Sequence, residues 1–312
     1  MAGHKRQSLV SPLPVIFGIA ALAGLAWAGS VKAGDAASQP TPARPAILTN
    51  RWQEDWSPLA DTGFRTDPFD TLKYVPFSAT DPKAYLSLGL TVRERFEAYD
   101  AANFGTAGSR KDDYLLDRVQ IHADLHLNSD VRAFLQIEDD RAPGKATITP
   151  VDQDPLDLRL AFIEYVHRFG QDTLKARIGR QDFAFDLQRF VSLRDGPNVR
   201  QSFDAIWADW ETPKWRFIAL ASHPVQYVPN RTFNDRSNAA QSFDSLRIER
   251  KVFGGDELSA YIARYRRDDV HALRASGQEL RDVAMCASQV PPRRWIGTLR
   301  GWFRRAISAP MA

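Results

Sequence analysis

The chain has 312 residues, 44% hydrophobic and 25% charged, with one cysteine, so neither a disordered chain nor an intramolecular disulfide framework fits it. Its net charge of +3 comes from the two ends: residues 1–33 carry Lys5, Arg6 and Lys32 and no acid, and the residues from Met285 onward carry five arginines and no acid. The body between them is acidic, which excludes nucleic acid as a partner.

In chain order, residues 1–33 read as a secretory signal peptide. "MAGHKRQ" is basic, "VIFGIAALAGLAWAG" is apolar, and a small-x-small site predicts cleavage after Ala33. The apolar run of about 15 residues is short for a membrane span. Residues 34–84 begin as a Pro- and Ala-rich periplasmic leader and continue as an irregular segment without either period.

From Tyr85 the period becomes two. In "YLSLGLTVRERF", Leu86, Leu88, Leu90 and Val92 share one face, and Ser87, Gly89, Thr91, Arg93 and Arg95 share the other. "DYLLDRVQIHADLHLN" and "VRAFLQIEDD" repeat the pattern cleanly. Six further stretches, from "DLRLAFIEYVHRF" to "ELSAYIARYRRDD", repeat it less cleanly, which predicts about nine strands over 85–284. Connections at 128–130, 169–172 and 253–256 are short, whereas those at 99–113, 141–156, 185–202 and 223–241 are long. Short turns on one side and long loops on the other are the layout of an antiparallel transmembrane β-barrel, an all-β fold of the outer membrane. Trp52, Trp56, Trp207, Trp210 and Trp215 fall near strand ends, where aromatic girdles belong. A soluble, secreted, polysaccharide-binding β protein is the alternative, because a half-buried sheet also alternates.

On this parity Arg93, Arg95, Arg118, Arg132, Arg177 and Arg247 point into the lumen. Rings of arginine select anions, and guanidinium pairs bidentately with carboxylate, so an anionic polysaccharide or sugar acid is the expected passenger. The same arginines have Glu97, Asp124, Glu138 and Glu249 as candidate partners across the lumen. His122, Asp124 and His126 share one face, and an outer-membrane hydrolase using them is a second alternative. One strand cannot wrap three ligands around an ion, so they are expected to line the path and to hold no metal. No catalytic constellation and no cofactor motif stands out. The stretch "RFVSLRDGPNVRQSFD", with Arg189, Arg194, Asp195 and Arg200 around a Gly196-Pro197-Asn198 turn, is expected to fold inward as a charged constriction.

"NRWQEDWSPLADTG", "DPLDLRLAFIEY", "GRQDFAFDLQRFVSLRDGPNVRQSFDAIWADW" and "ELSAYIARYRRDD" together resemble the alginate export family of bacterial outer-membrane porins, over roughly residues 50–284. The resemblance implies a barrel of about eighteen strands, of which this chain holds roughly half, with an electropositive lumen that passes an anionic uronate polymer. It also implies outer-membrane lipid, and periplasmic export or assembly proteins, as partners. Residues 285–312 depart from the pattern: their alternation is lost, and an out-of-frame tail after a truncated barrel is the expectation.

Overall fold

The structure, a computed structural model, describes residues 44–101, 104, 106, 111–184, 191–252, 256–268, 278–289 and 300–306. The expected signal peptide and Arg189 lie outside them.

Alternation of side chains across an extended backbone gives each strand two chemically distinct faces. The strands are β1 (Val75–Pro76), β2 (Tyr85–Asp100), β3 (Lys111–His126), β4 (Val131–Arg141), β5 (Asp154–Phe169), β6 (Asp172–Gln181) and β7 (Phe203–Glu211). They continue as β8 (Trp215–Gln226), β9 (Arg236–Ser237), β10 (Gln241–Val252), β11 (Asp256–Arg267), β12 (Glu279–Gln289) and β13 (Arg300–Ala306). All belong to one antiparallel meander in which each long strand pairs with the next, and β9 attaches to β8.

The nine predicted strands are β2 to β8, β10 and β11. Beyond them, β12 pairs with β11 from Glu257↔Gln289 to Arg267↔Glu279, and β13 pairs with β12. The strand pattern therefore runs past the predicted limit at 284. Met285 is buried beside Tyr261, whose hydroxyl donates to its Sδ at 3.3 Å. The alternation there escaped detection because Ala284, Cys286, Ala287 and Ser288 offer almost no polarity contrast.

The sheet is inside-out compared with a water-soluble one. Register aligns Leu90 with Ile121, Ile163 with Ile178, Ile178 with Ile206, and Leu246 with Ile262. Each of these residues is more than half exposed, and together they form an aliphatic belt across the strands. The opposite face buries Gln120, His122, Asp124, Gln136, Glu138, Asp209, Ser222 and Ser245. An exposed aliphatic belt over a polar interior is the arrangement that lipid selects.

The tryptophans divide between the two faces. Trp210 and Trp215 are exposed beside Phe217, with ring centroids 5.2 and 6.3 Å from it. Trp56 is buried and Trp52 is packed against Phe162, so these two, like Trp207 on the inner face, do not belong to a girdle. Tyr165, His167 and Phe169 stack along the same outer rim as Trp210. No described helix is long and apolar enough to cross a membrane.

Residues 44–84 do not hang free of the sheet. Three single 3-10 turns and α1 (Asp70–Lys73) fold them around Trp56, Leu59, Tyr74 and Tyr85. The Asp70 carboxylate organises this segment: it accepts from Arg44 Nη2 at 2.6 Å and from the backbone amides of Thr66 and Asp67 at 2.9 Å. Arg51 then reaches the inner face of β2, donating to Thr91 Oγ1 at 3.0 Å. Gly89 makes room for the same docking. A Cβ there would lie 2.3 Å from the His122 imidazole and 2.5 Å from Lys73 Nζ.

Candidate functional site

The inward parity of the strands places the predicted arginines on one continuous wall, where neighbouring carboxylates connect them into ladders running across the strands. In one ladder Arg177 on β6 bonds Glu164 on β5 with Nε at 3.0 Å. Arg132 on β4 lies 4.0 Å from Glu164 and grips Asp124 on β3 with two bonds of 2.6 and 2.7 Å. In the other, Arg247 on β10 contacts Glu249 at 2.5 Å and Glu257 at 3.3 Å. Arg216 on β8 bridges Glu249 at 3.4 Å and Asp209 at 2.7 Å. At the end of the first ladder, Arg177 sits 4.2 Å from the Trp52 ring and 5.4 Å from the Trp207 ring. The cavity they enclose has a volume of about 760 Å³. Seven Lys or Arg and seven Asp or Glu side chains line it, so its charge is balanced.

A second group forms around the connection 191–202. Its backbone carbonyls face the wall: Asp195 O accepts from Arg93 at 2.8 Å, Gly196 O from Arg95 at 2.7 Å, and Pro197 O from Arg118 at 2.7 Å. Asp195 also binds Arg118 through its carboxylate at 3.0 Å. Burial raises the affinity of that carboxylate for a proton, but the Arg118 hydrogen bond and the charges of Arg200 and Arg93 outweigh it and hold the group below the ordinary range. Asn198 is the anchor: buried, it donates to the carbonyls of Asp117, Arg141 and Asp152 at 2.9 to 3.1 Å. Arg194 is exposed, and among the described residues its guanidinium bonds within the loop, to Gln201 at 3.4 Å.

Asp182, just after β6, joins these parts. Its carboxylate accepts from Trp52 Nε1 at 2.6 Å, from Arg159 at 2.9 Å and from Arg200 at 3.5 Å. Arg200 also donates to Asn50 at 2.7 Å. The N-terminal segment, the wall and the inward loop thus meet at one buried carboxylate.

The His122, Asp124, His126 face does not form a metal set. Asp124 is committed to Arg132, with His126 Nε2 a further 3.2 Å contact. His126 stacks on Tyr85 at 4.3 Å, and His122 stacks on Phe134 at 5.6 Å. These contacts commit the Asp124 carboxylate to Arg132 and engage the two imidazoles through their ring faces.

Period-two reading located Arg93, Arg95, Arg118, Arg132, Arg177 and Arg247, and turn chemistry located the loop of Asp195 and Arg200. It missed Arg159, Asp182 and Arg216. A bulge explains the first: Gln136 pairs with Leu160 but Ile137 with Leu158, which skips Arg159 and turns both Arg159 and Leu160 inward. Asp182 lies past a strand end, where periodicity carries no information. Asn198 and Trp52 were visible as a turn residue and an aromatic, without any signal of what they would hold.

The polar interior, the outward aliphatic belt and the continuous antiparallel meander define an outer-membrane β-barrel. The family model for alginate export matches residues 84–289, and the chain belongs to that family, whose members are transport porins of the outer membrane and not enzymes. No curated protein matches the chain.

Proposed function

We propose that this chain passes an anionic polysaccharide or sugar acid, of the uronate type, along the arginine ladders of its inner wall. The observation that supports this reading is the set of inward guanidiniums, Arg132, Arg177, Arg216 and Arg247, on the wall of a single cavity with Trp52 and Trp207. Each is held by an aspartate or glutamate, so an incoming uronate carboxylate exchanges one carboxylate partner for another. Such exchange gives many weak, near-equivalent sites, which is what conduction requires, because a tightly held solute would not leave. Aromatic faces beside the guanidiniums suit the apolar face of a sugar ring. The N-terminal segment and the 191–202 connection narrow the route, and secretion to the outer membrane through a signal peptide cleaved after Ala33 completes the reading.

The test is conductance of the purified protein in planar bilayers, with oligouronates added. Anion-selective current that oligouronates block, weakened about tenfold in the Arg216→Gln, Arg247→Gln double variant, is expected; that change corresponds to about 1.4 kcal/mol. Cation-selective current indifferent to oligouronates would rule the proposal out.

A further inference from the structure

Outside the transport wall, three carboxylates converge where the long connections meet. Asp154 opens β5, Asp157 lies three residues further on, and Asp235 belongs to the connection between β8 and β10. One carboxylate oxygen from each lies within 4.8 Å of the others. A Ca²⁺ ion bonded at about 2.3–2.6 Å puts opposed ligands about 5 Å apart, so one ion can reach all three.

Acidic side chains cluster on many proteins without binding anything, but here the donors are missing. Asp154 is 6% exposed, and its Oδ1 accepts no hydrogen bond among the described residues. The Oδ1 atoms of Asn234 and Asp235 are also buried without a donor. Asp157 is satisfied, its Oδ2 accepting from the backbone amides of Asn234 at 2.7 Å and Asp235 at 3.1 Å. Those two bonds bring the Asp235 loop against β5. The Asp235 carboxylate has one backbone donor, the amide of Val228. Arg180 relieves the group only in part: its guanidinium bonds the Asp204 carboxylate at 3.0 Å and meets Asp235 at the backbone oxygen, at 3.4 Å. Across the strand pair, directly opposite Asp154, stands Asp140, which is fully buried and accepts no hydrogen bond; Arg118 Nε lies 3.5 Å from it. Burying three carboxylates together with an oxygen of Asp154 and one of Asp235 left without a donor is costly, and a multivalent cation removes that cost.

We propose that Asp154, Asp157 and Asp235 bind a divalent cation of the Ca²⁺ type, which pins the β8–β10 connection to the start of β5. The ligand set is all oxygen, with neither His nor Cys, which favours a hard cation over zinc or copper. The ion ties two of the long connections together and leaves the arginine wall untouched.

The full chain, folded in detergent micelles and freed of metal, would be titrated with Tb³⁺ while its sensitised luminescence is followed, and then back-titrated with Ca²⁺. One saturable Tb³⁺ site displaced by Ca²⁺ is expected, with Ca²⁺ raising the thermal midpoint of the wild-type chain. Asp157→Asn and Asp235→Asn should each weaken binding at least tenfold and abolish the thermal shift. Absence of both signals in the wild-type chain at Ca²⁺ up to about 10 mM, beyond the weakest extracellular sites, overturns the proposal. So does binding that both substitutions leave unchanged.

Discussion

Two residues set local conditions that the rest of the structure depends on. The Arg44 hydrogen bond, helped by the amides of Thr66 and Asp67, holds the Asp70 carboxyl below the usual aspartate range. A carboxyl depressed in the folded state stabilises it above the unfolded value of about 3.9, and that stabilisation is lost as pH falls through the lower, folded value. Protection from hydrogen exchange over residues 56–74, taken relative to the intrinsic rate at each pH, is therefore expected to be high at neutral pH and to fall below about pH 4. Asp70→Asn should lower that protection at neutral pH, with a loss of about 1.5–3 kcal/mol, and make little difference once pH has fallen below the folded value of the carboxyl. Gly179 is the second case. Its φ of +124° lies where side chains are strained, and a Cβ would stand 2.3 Å from the Ala161 carbonyl oxygen and 2.9 Å from Phe162 Cα. Both obstacles are backbone and cannot swing away. Gly179→Ala should cost about 1–3 kcal/mol in denaturant unfolding from micelles.

At the scale of elements, the interior is built by docking an irregular segment and a loop onto strands. Trp52 comes from the N-terminal segment, Arg159 from a bulge in β5 and Arg200 from the inward connection, and all three end on Asp182. Removing that carboxylate leaves two buried guanidiniums short of a counter-charge, a change that typically costs about 3–5 kcal/mol. Asp182→Ala is expected to loosen both elements together, seen as proteolytic cleavage in 44–84 and in 191–202 at matching rates. Cleavage confined to one of them would show that Asp182 does not couple the two. The inward connection is held both through its own carbonyls and through the side chains of Asp195, Asn198 and Arg200.

For the molecule as a whole, the governing fact is the inverted distribution of polarity. Ile178 is more than half exposed, with Ile163 and Ile206 on either side. In water this belt would drive aggregation; in lipid it is the surface that the solvent prefers. Ile178→Arg is expected to disfavour folding into lipid vesicles by about 2–4 kcal/mol, measured by denaturant titration, with a smaller effect in short-chain detergent. The interior obeys the converse rule. Its charge is high yet balanced around the cavity, so the selectivity proposed above rests on individual guanidiniums and not on a net positive field.

The sequence alone determined which residues face lipid and which face the interior, because a period of two follows from strand geometry before any tertiary contact exists. That is why Arg93, Arg118, Arg132, Arg177 and Arg247 could be assigned to one wall, and why the loop around Gly196 and Pro197 could be marked as special. It faltered where polarity contrast was low, as at Met285, and where a bulge shifted the parity, as at Arg159. Only the tertiary structure decided what each guanidinium binds, since Glu164, Asp209 and Asp182 reach their partners across neighbouring strands and loops. Only it brought Asp235 beside Asp154 and Asp157, for the same reason: such contacts depend on register and loop path, which local sequence does not encode.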